Sequence, residues 1–340
     1  MIRKTMLLRT MTILVLLFAA TSLEAAEDMT TVDVVLDDVS VNKVPFLIAA
    51  DNGIYAKNGL DVRLHINADA VATARSRGIN VSDANVERSS TVPPIDITGG
   101  SWWLARVGQP SYIDRVIVST TEDKLRDHVI AVSSLSSISD IKGKRLGYSS
   151  FGAVIHYGDL SLAKEMGWNP KKDVDLVPDA ANLSALKTGK ADAILASALV
   201  TGSLTPDMGF KDLGDLTSHN IPLAGSGIMI ERKWLAAHRG AAARFVKAAI
   251  EATALMKKDR KVFDAAAGKW FNITDSRTLD HMYAATAEIS DKPYPSVAGI
   301  RNAMAVYDTP AMRSHKAEYF YDSSFIRALD KSGFLDHPLQ

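Results

Sequence analysis

Apolar and polar positions alternate over 31–36, where Val32, Val34 and Leu36 are apolar, and again over 60–66 in LDVRLHI. Both patterns predict strands with one buried face. Between them Pro45 stands where a helix can begin, ahead of Phe46, Leu47, Ala49 and Ala50, and Gly53 stops it. Strand, helix, strand in this order is a βαβ unit and implies a parallel sheet, because parallel neighbours need a crossover. The rhythm continues with a helix over 68–77, a short strand over 95–98 running into a helix over 102–107, and a strand over 115–119. A second run begins near Arg126, with strands over 128–132, 144–148, 174–177 and 191–196 and helices over 153–166 and 183–188. A strand over 227–231 then leads into a helix over 237–256, whose Phe245, Ala248, Ala249, Ala252 and Leu255 recur at helical spacing. Lys257 and Lys258 suit the negative end of its dipole. Strands and helices alternating on this scale predict an α/β fold with parallel sheets in both halves.

Composition narrows the setting. The 340 residues allow about two domains at roughly 150 residues each. The 39 basic and 39 acidic side chains argue against a binder of phosphate backbones, which would concentrate Lys and Arg. With no cysteine, disulfides, thiolate metal sites, iron–sulfur clusters, a cysteine nucleophile and a lipid-modified cysteine anchor are all excluded. Arg3, Lys4 and Arg9 precede an apolar stretch over 11–20 that is too short to span a bilayer, and Ala25 and Ala26 follow. This pattern predicts a secretory signal peptide over 1–25. Its removal takes away three basic groups and one acidic group, leaving 36 and 38 and a formal charge of −2. An exported chain of this size buries enough apolar surface to fold without disulfides, and a bacterial periplasm suits it.

In open parallel sheets ligands bind beyond the carboxyl ends of the strands, so the loops after Leu36, Thr98, Tyr148 and Leu195 are the places to look. Two of them, Gly99-Gly100-Ser101 and Ser149-Ser150-Phe151-Gly152, end at expected helix starts. Each is expected to offer unpaired backbone N–H groups at the positive end of a helix dipole, with Ser101 and Ser149 as alternative simple N-caps. Trp102, Trp103, Tyr148, Phe151 and Tyr157 put aromatic rings nearby. Adjacent helical residues point about 100° apart, so one tryptophan faces the cleft and the other the core; Trp102 is taken as the cleft residue. Asp38, Asn42 and Phe46 follow the first strand, and Ser197 follows the strand ending at Leu195. Aromatic walls with polar helix ends suit a small solute with an anionic or accepting group and a flat or apolar body. The eight histidines form no close pair and no H-E-x-x-H, Gly147 to Gly152 misses a nucleophile elbow by one residue, and Gly189-Lys190 is not a P-loop. The expectation is a binder with no catalytic residue, metal or cofactor.

The stretches PFLIAADNGIYAKNGLDVRL (45–64), DITGGS (96–101), ISDIKGKRLGY (138–148), ALKTGKADA (185–193), the helix over 234–255 and YDSSFIRAL (321–329) occur in an order that resembles the solute-binding proteins of ATP-driven importers. The group concerned includes sulfonate, nitrate and thiamine-pyrimidine binders. The resemblance implies a two-lobe clamshell of the periplasmic-binding-protein type II fold, each lobe a mainly parallel sheet flanked by helices, joined by two crossover strands. The first lobe would comprise 28–125 plus 227–340 and the second 126–226. With the strand-end loops above, the expected ligand contacts are Asp38, Asn42, Phe46, Thr98, Gly99, Gly100, Ser101, Trp102, Tyr148, Ser149, Ser150, Phe151, Gly152 and Ser197, the last at a position where the resemblance implies a contact. The partners it implies are a small-molecule ligand and the permease and ATPase subunits of an ABC importer, for a periplasmic monomer with no nucleic-acid partner. Two alternatives share the fold: a pyrimidine-synthesising enzyme, whose relatives carry a cysteine-rich motif missing here, and a ligand-sensing subunit. The sequence departs from the pattern at LASALV (195–200), which lacks an aromatic-acid-proline signature, and at 78–94, an unusually long link expected to lie over the cleft mouth.

Overall fold

The computed structural model describes residues 29–76, 78–86 and 92–340; the leader expected over 1–25 lies outside them. Among the described residues, ten strands form two five-stranded sheets. They are β1 (Thr30–Leu36), β2 (Leu60–Ile66), β3 (Ile95–Gly99), β4 (Arg115–Thr120), β5 (His128–Val132), β6 (Arg145–Gly147), β7 (Asp175–Val177), β8 (Ala193–Ala196), β9 (Phe210–Asp215) and β10 (Ser226–Glu231).

The first sheet runs β2-β1-β3-β10-β4 and the second β7-β6-β8-β5-β9. In each, one strand is antiparallel to both its neighbours, β10 in the first and β5 in the second. The remaining pairs are parallel, as the βαβ reading predicts. Those two antiparallel strands are the ones reached directly from the other sheet. The chain leaves β4 for β5 over 121–127 and returns from β9 to β10 over 216–225, so each entering strand runs against the sheet it joins. This is the two-lobe α/β fold of type II periplasmic binding proteins.

β9 is the strand that the sequence reading does not contain. It lies on the edge of its sheet, mostly exposed, with Gly214 inside it, so burial leaves almost no hydrophobic signature on it.

The helix Arg239–Lys258 buries Ala242, Phe245, Val246, Ala248, Ala249 and Ala252 in the first-lobe core, chiefly against the helices Val44–Asp51 and Ile54–Lys57, where Phe245 stacks on Phe46 and Tyr55. The core of the second lobe gathers Val129, Leu146, Tyr157, Leu162 and Leu195. That core runs on without a break into Trp103, Leu104, Ile300 and Phe320 of the first lobe.

Candidate functional site

The helix Gly100–Leu104 begins where β3 ends, and its first turn differs from the sequence expectation. The Gly100 N–H donates to the Gly225 carbonyl and the Ser101 N–H to the Ala224 carbonyl, both at 2.9 Å. The returning crossover thus satisfies two of the amides expected to be free, because the loop that carries the chain back must itself hydrogen-bond its carbonyls. Ser101 is not the cap either; Gly99 is. The Ser101 side chain is fully buried, and its hydroxyl has no hydrogen-bond partner among the described residues.

The opposite wall comes from the second lobe. The helix Val154–Glu165 starts five residues after Ser149, with Ala153 at its N-cap and the turn 149–152 standing in front. Ser149 is therefore no cap. The N–H groups of Val154, Ile155 and His156 have no backbone partner within the helix, and none is found for them elsewhere among the described residues. A Cβ placed on Gly99 would stand 3.3 Å from the Val154 Cγ2, so this helix start faces the end of β3 directly.

Contacts join the lobes beside this point. The Arg106 Nη1 donates to the Trp102 carbonyl at 2.7 Å and to the Phe151 carbonyl of the second lobe at 3.1 Å. Gly152 holds a φ of +84°, and a Cβ there would lie 2.7 Å from the Ala105 Cβ, so glycine is required on both counts. Tyr307 rests against Phe151 and His156, with ring centroids at 5.8 and 6.2 Å, and Tyr148 packs on His156 at 4.5 Å. The His156 Nδ1 accepts from the Gly152 N–H at 3.2 Å, and burial pulls its pKa down to about 4. Asn302 donates to the Tyr157 hydroxyl, which in turn donates to the Pro222 carbonyl.

Below Gly99 lies a network built on a residue the sequence reading passes over. Lys43 is fully buried, and its Nζ donates to a carboxylate oxygen of Asp38 and, at 2.6 Å, to the Ser226 Oγ. The Asn42 Oδ1 accepts from the Thr121 hydroxyl at 3.1 Å, tying the loop after β1 to the outgoing crossover. Thr98 is buried, and the neighbouring Asp37 Oδ1 accepts from the Asn67 Nδ2 at 3.1 Å. Lysines are seldom fully buried, so nothing in the one-dimensional pattern marks Lys43; the acceptors that hold it lie 5 and 183 positions away.

The remaining candidates scatter. Phe46 belongs to the core of the first lobe, Ser150 and Phe151 are exposed, and Ser197 is exposed ahead of the helix Ala198–Gly202. Trp103 packs in the core against Tyr112 and Phe320 and donates its Nε1–H to the Ile113 carbonyl, whereas Trp102 is half-buried with Arg106 lying 3.6 Å over its ring. Trp102, Asp37, Asp96 and Arg115 line a cavity of about 420 Å³ in the first lobe, which Val92 and Pro93 also border. Of the long link, Val86 bridges to Ile66 on β2 at the outer edge of the first sheet, while Val92 and Pro93 border that cavity.

A fold with two sheets of order 2-1-3-n-4, between which the chain crosses twice, defines a periplasmic-binding-protein architecture. Residues 115–261 match the family model described as NMT1/THI5 like. The chain is similar to the periplasmic nitrate-binding protein NrtA from Synechocystis PCC 6803, with 13% identity over 92% of this chain and 91% of that one and a TM-score of 0.69. It is similar to the periplasmic aliphatic sulphonate binding protein SsuA from Escherichia coli, with 15% identity over 86% and 98% and a TM-score of 0.60. It is also similar to the desulfurization enzyme DSZB, with 13% identity over 88% and 99% and a TM-score of 0.56. No curated protein matches the sequence. The sequence resemblance to the sulfonate- and nitrate-binding group therefore holds, and identities at this level carry the fold alone.

Proposed function

We propose that the protein is a periplasmic receptor that binds a small organic solute with an anionic or accepting group between its lobes and hands it to an ABC-type importer. One observation carries the reading: the Val154–Glu165 helix, whose first three amides have no partner among the described residues, begins at Val154, whose side chain lies against Gly99 beside the orphaned, buried Ser101 hydroxyl. A helix N-terminus presents N–H donors and positive potential, and an unpaired buried hydroxyl is costly until something bonds it. An anion held there contacts both lobes, which is what a ligand must do to favour a closed clamshell. The similarity to nitrate- and sulphonate-binding proteins supports this class of solute. Transport is preferred to catalysis because the site's histidine is held neutral by burial and already bonded to the Gly152 N–H, leaving it ill suited to shuttle protons.

A thermal-shift panel of sulfonates, aromatic carboxylates, pyrimidines, flavins and inorganic oxyanions tests the proposal. A ligand at 100 times its Kd should add about 2.7 kcal/mol of stability. Ser101→Ala should weaken that ligand roughly tenfold, the loss expected for one hydrogen bond to a charged group. A panel with no hit, or turnover of any member, would sink the reading.

A further inference from the structure

The cavity beside Trp102 gathers buried groups of both signs. Three carboxyl groups meet on its inner side, Asp37 and Asp96 on its wall and Asp38 beside them, with three cations near them, none of which hydrogen-bonds Asp96. Lys43 spends its ammonium on Asp38 and Ser226. Arg115 is buried, with its Nη atoms on the carbonyls of Pro93, Pro94 and Met229 and its Nε 4.0 Å from Asp96, beyond hydrogen-bond range. Arg106 also reaches the cavity, but its guanidinium lies over Trp102 and bonds carbonyls of Trp102 and Phe151. Asp96 is 7% exposed, and its Oδ1 has no partner among the described residues; the Tyr112 hydroxyl on the same wall is also unpartnered. A buried carboxylate with an empty acceptor site is costly unless a proton or a cation completes it.

We propose that this cavity is a subsite for a cationic nitrogen, a primary ammonium or an amidinium, which donates to the Asp96 Oδ1 and sits between Asp96 and Asp37. The proposal deepens the reading above: the solute is then a zwitterion, its anionic end at the Val154 helix and its nitrogen in the first lobe. Without a ligand a proton is shared by the pair, consistent with burial raising both carboxyls, Asp96 the more, with Asp38 adding to the rise at Asp37 and Asp37 to that at Asp96. A bound ammonium displaces that proton, so binding releases it to the buffer. Trp102 supplies the flat wall beside the nitrogen.

The test compares propanesulfonate, 3-aminopropanesulfonate and propylammonium by isothermal titration at pH 7.5 in buffers of different ionisation enthalpy. The wild-type protein should prefer the aminated sulfonate to propanesulfonate by roughly tenfold or more, the lower range for a charge-assisted hydrogen bond, and release a proton on binding it. Asp96→Asn should abolish the preference and the proton release, and Asp37→Asn should reduce both, with circular dichroism verifying the fold of each variant. Propylammonium binding that Asp96→Asn removes, with neither sulfonate bound, would retain the cation subsite and discard the anion site. Equal affinities for the two sulfonates in the wild type, a preference surviving in both variants, or no binding of any probe would overturn the subsite.

Discussion

Lys43 shows how a single side chain can organise a site without announcing itself. Its ammonium is fully buried, yet half of the Asp38 side chain it pairs with remains in water, so the pair gains attraction while part of its desolvation is avoided. Removing the cation leaves Asp38 without its partner and Ser226 without its donor. Lys43→Ala should therefore cost about 2 kcal/mol, less than the full penalty for splitting a wholly buried pair because solvent reaches the carboxylate. Urea denaturation of the variant checks this, and a loss under about 0.5 kcal/mol would mean the pair is only a surface contact. His156 makes a prediction of opposite origin. Its pKa falls from 6.5 to about 4 on folding, so the unfolded chain binds the extra proton between those values. Its contribution to stability is intact above about pH 6.5 and is lost as pH falls toward 4. His156→Gln, which keeps a polar group near Gly152 and cannot charge, should flatten that acid limb in melts between pH 4 and 7.

At the scale of elements, what the chain displays depends on how much of each element is covered. The helix Arg239–Lys258 and strands β1 to β4 are legible because a buried face writes a repeating apolar code into the residues. β9 writes none, being an exposed edge. The two expected anion-binding helix starts look alike in sequence, a strand followed by small residues, and they part company in space. One has two of its first-turn amides closed by Ala224 and Gly225; the other keeps three without a partner. The difference comes from a crossover more than a hundred positions away, which local sequence does not encode. The acidic side chains near the crossovers behave similarly. Burial lifts Asp127 to about 7, with Glu122 adding to the effect, and the fully buried Asp159 is pushed up by burial and by Asp127. A carboxyl raised on folding contributes stability that fades as pH climbs from its unfolded value through its folded one. Asp127→Asn should accordingly narrow the difference in melting temperature between pH 5 and pH 8, and an unchanged difference would show that Asp127 ionises freely.

For the whole molecule the decisive feature is that the second hydrophobic cluster spans both lobes. The helix Val297–Tyr307 packs on both the Gly100–Leu104 helix of the first lobe and the Val154–Glu165 helix of the second. Tyr307 meets the aromatic group of Phe151 and His156, and Asn302 bonds Tyr157. Such a seam favours contact between the lobes, and on the proposed reading it lowers what the ligand has to supply to close the clamshell. The double variant Asn302→Ala/Tyr307→Ala should open the unliganded protein, seen as a larger radius of gyration in small-angle X-ray scattering, and weaken ligand binding. An unchanged radius would mean that the seam does not set the balance between open and closed forms.

The sequence by itself determined the alternation of strands and helices, the parallel pairing of β1 with β2 and β3 and of β6 with β7 and β8 though not the antiparallel β5 and β10, and the loops at strand ends where a solute could enter, because local propensity and buried periodicity are properties of neighbouring residues. It also placed Trp103 and Trp102 on different faces of one short helix. Only the tertiary structure decided which face meets the core, that Phe46 is spent on packing, that Lys43 and Asp96 are buried around the site, and that Ser101 carries an unpaired hydroxyl at the lobe boundary. Those outcomes rest on contacts between residues far apart in the chain, where hydrogen-bond satisfaction and desolvation are set by whichever segment arrives opposite.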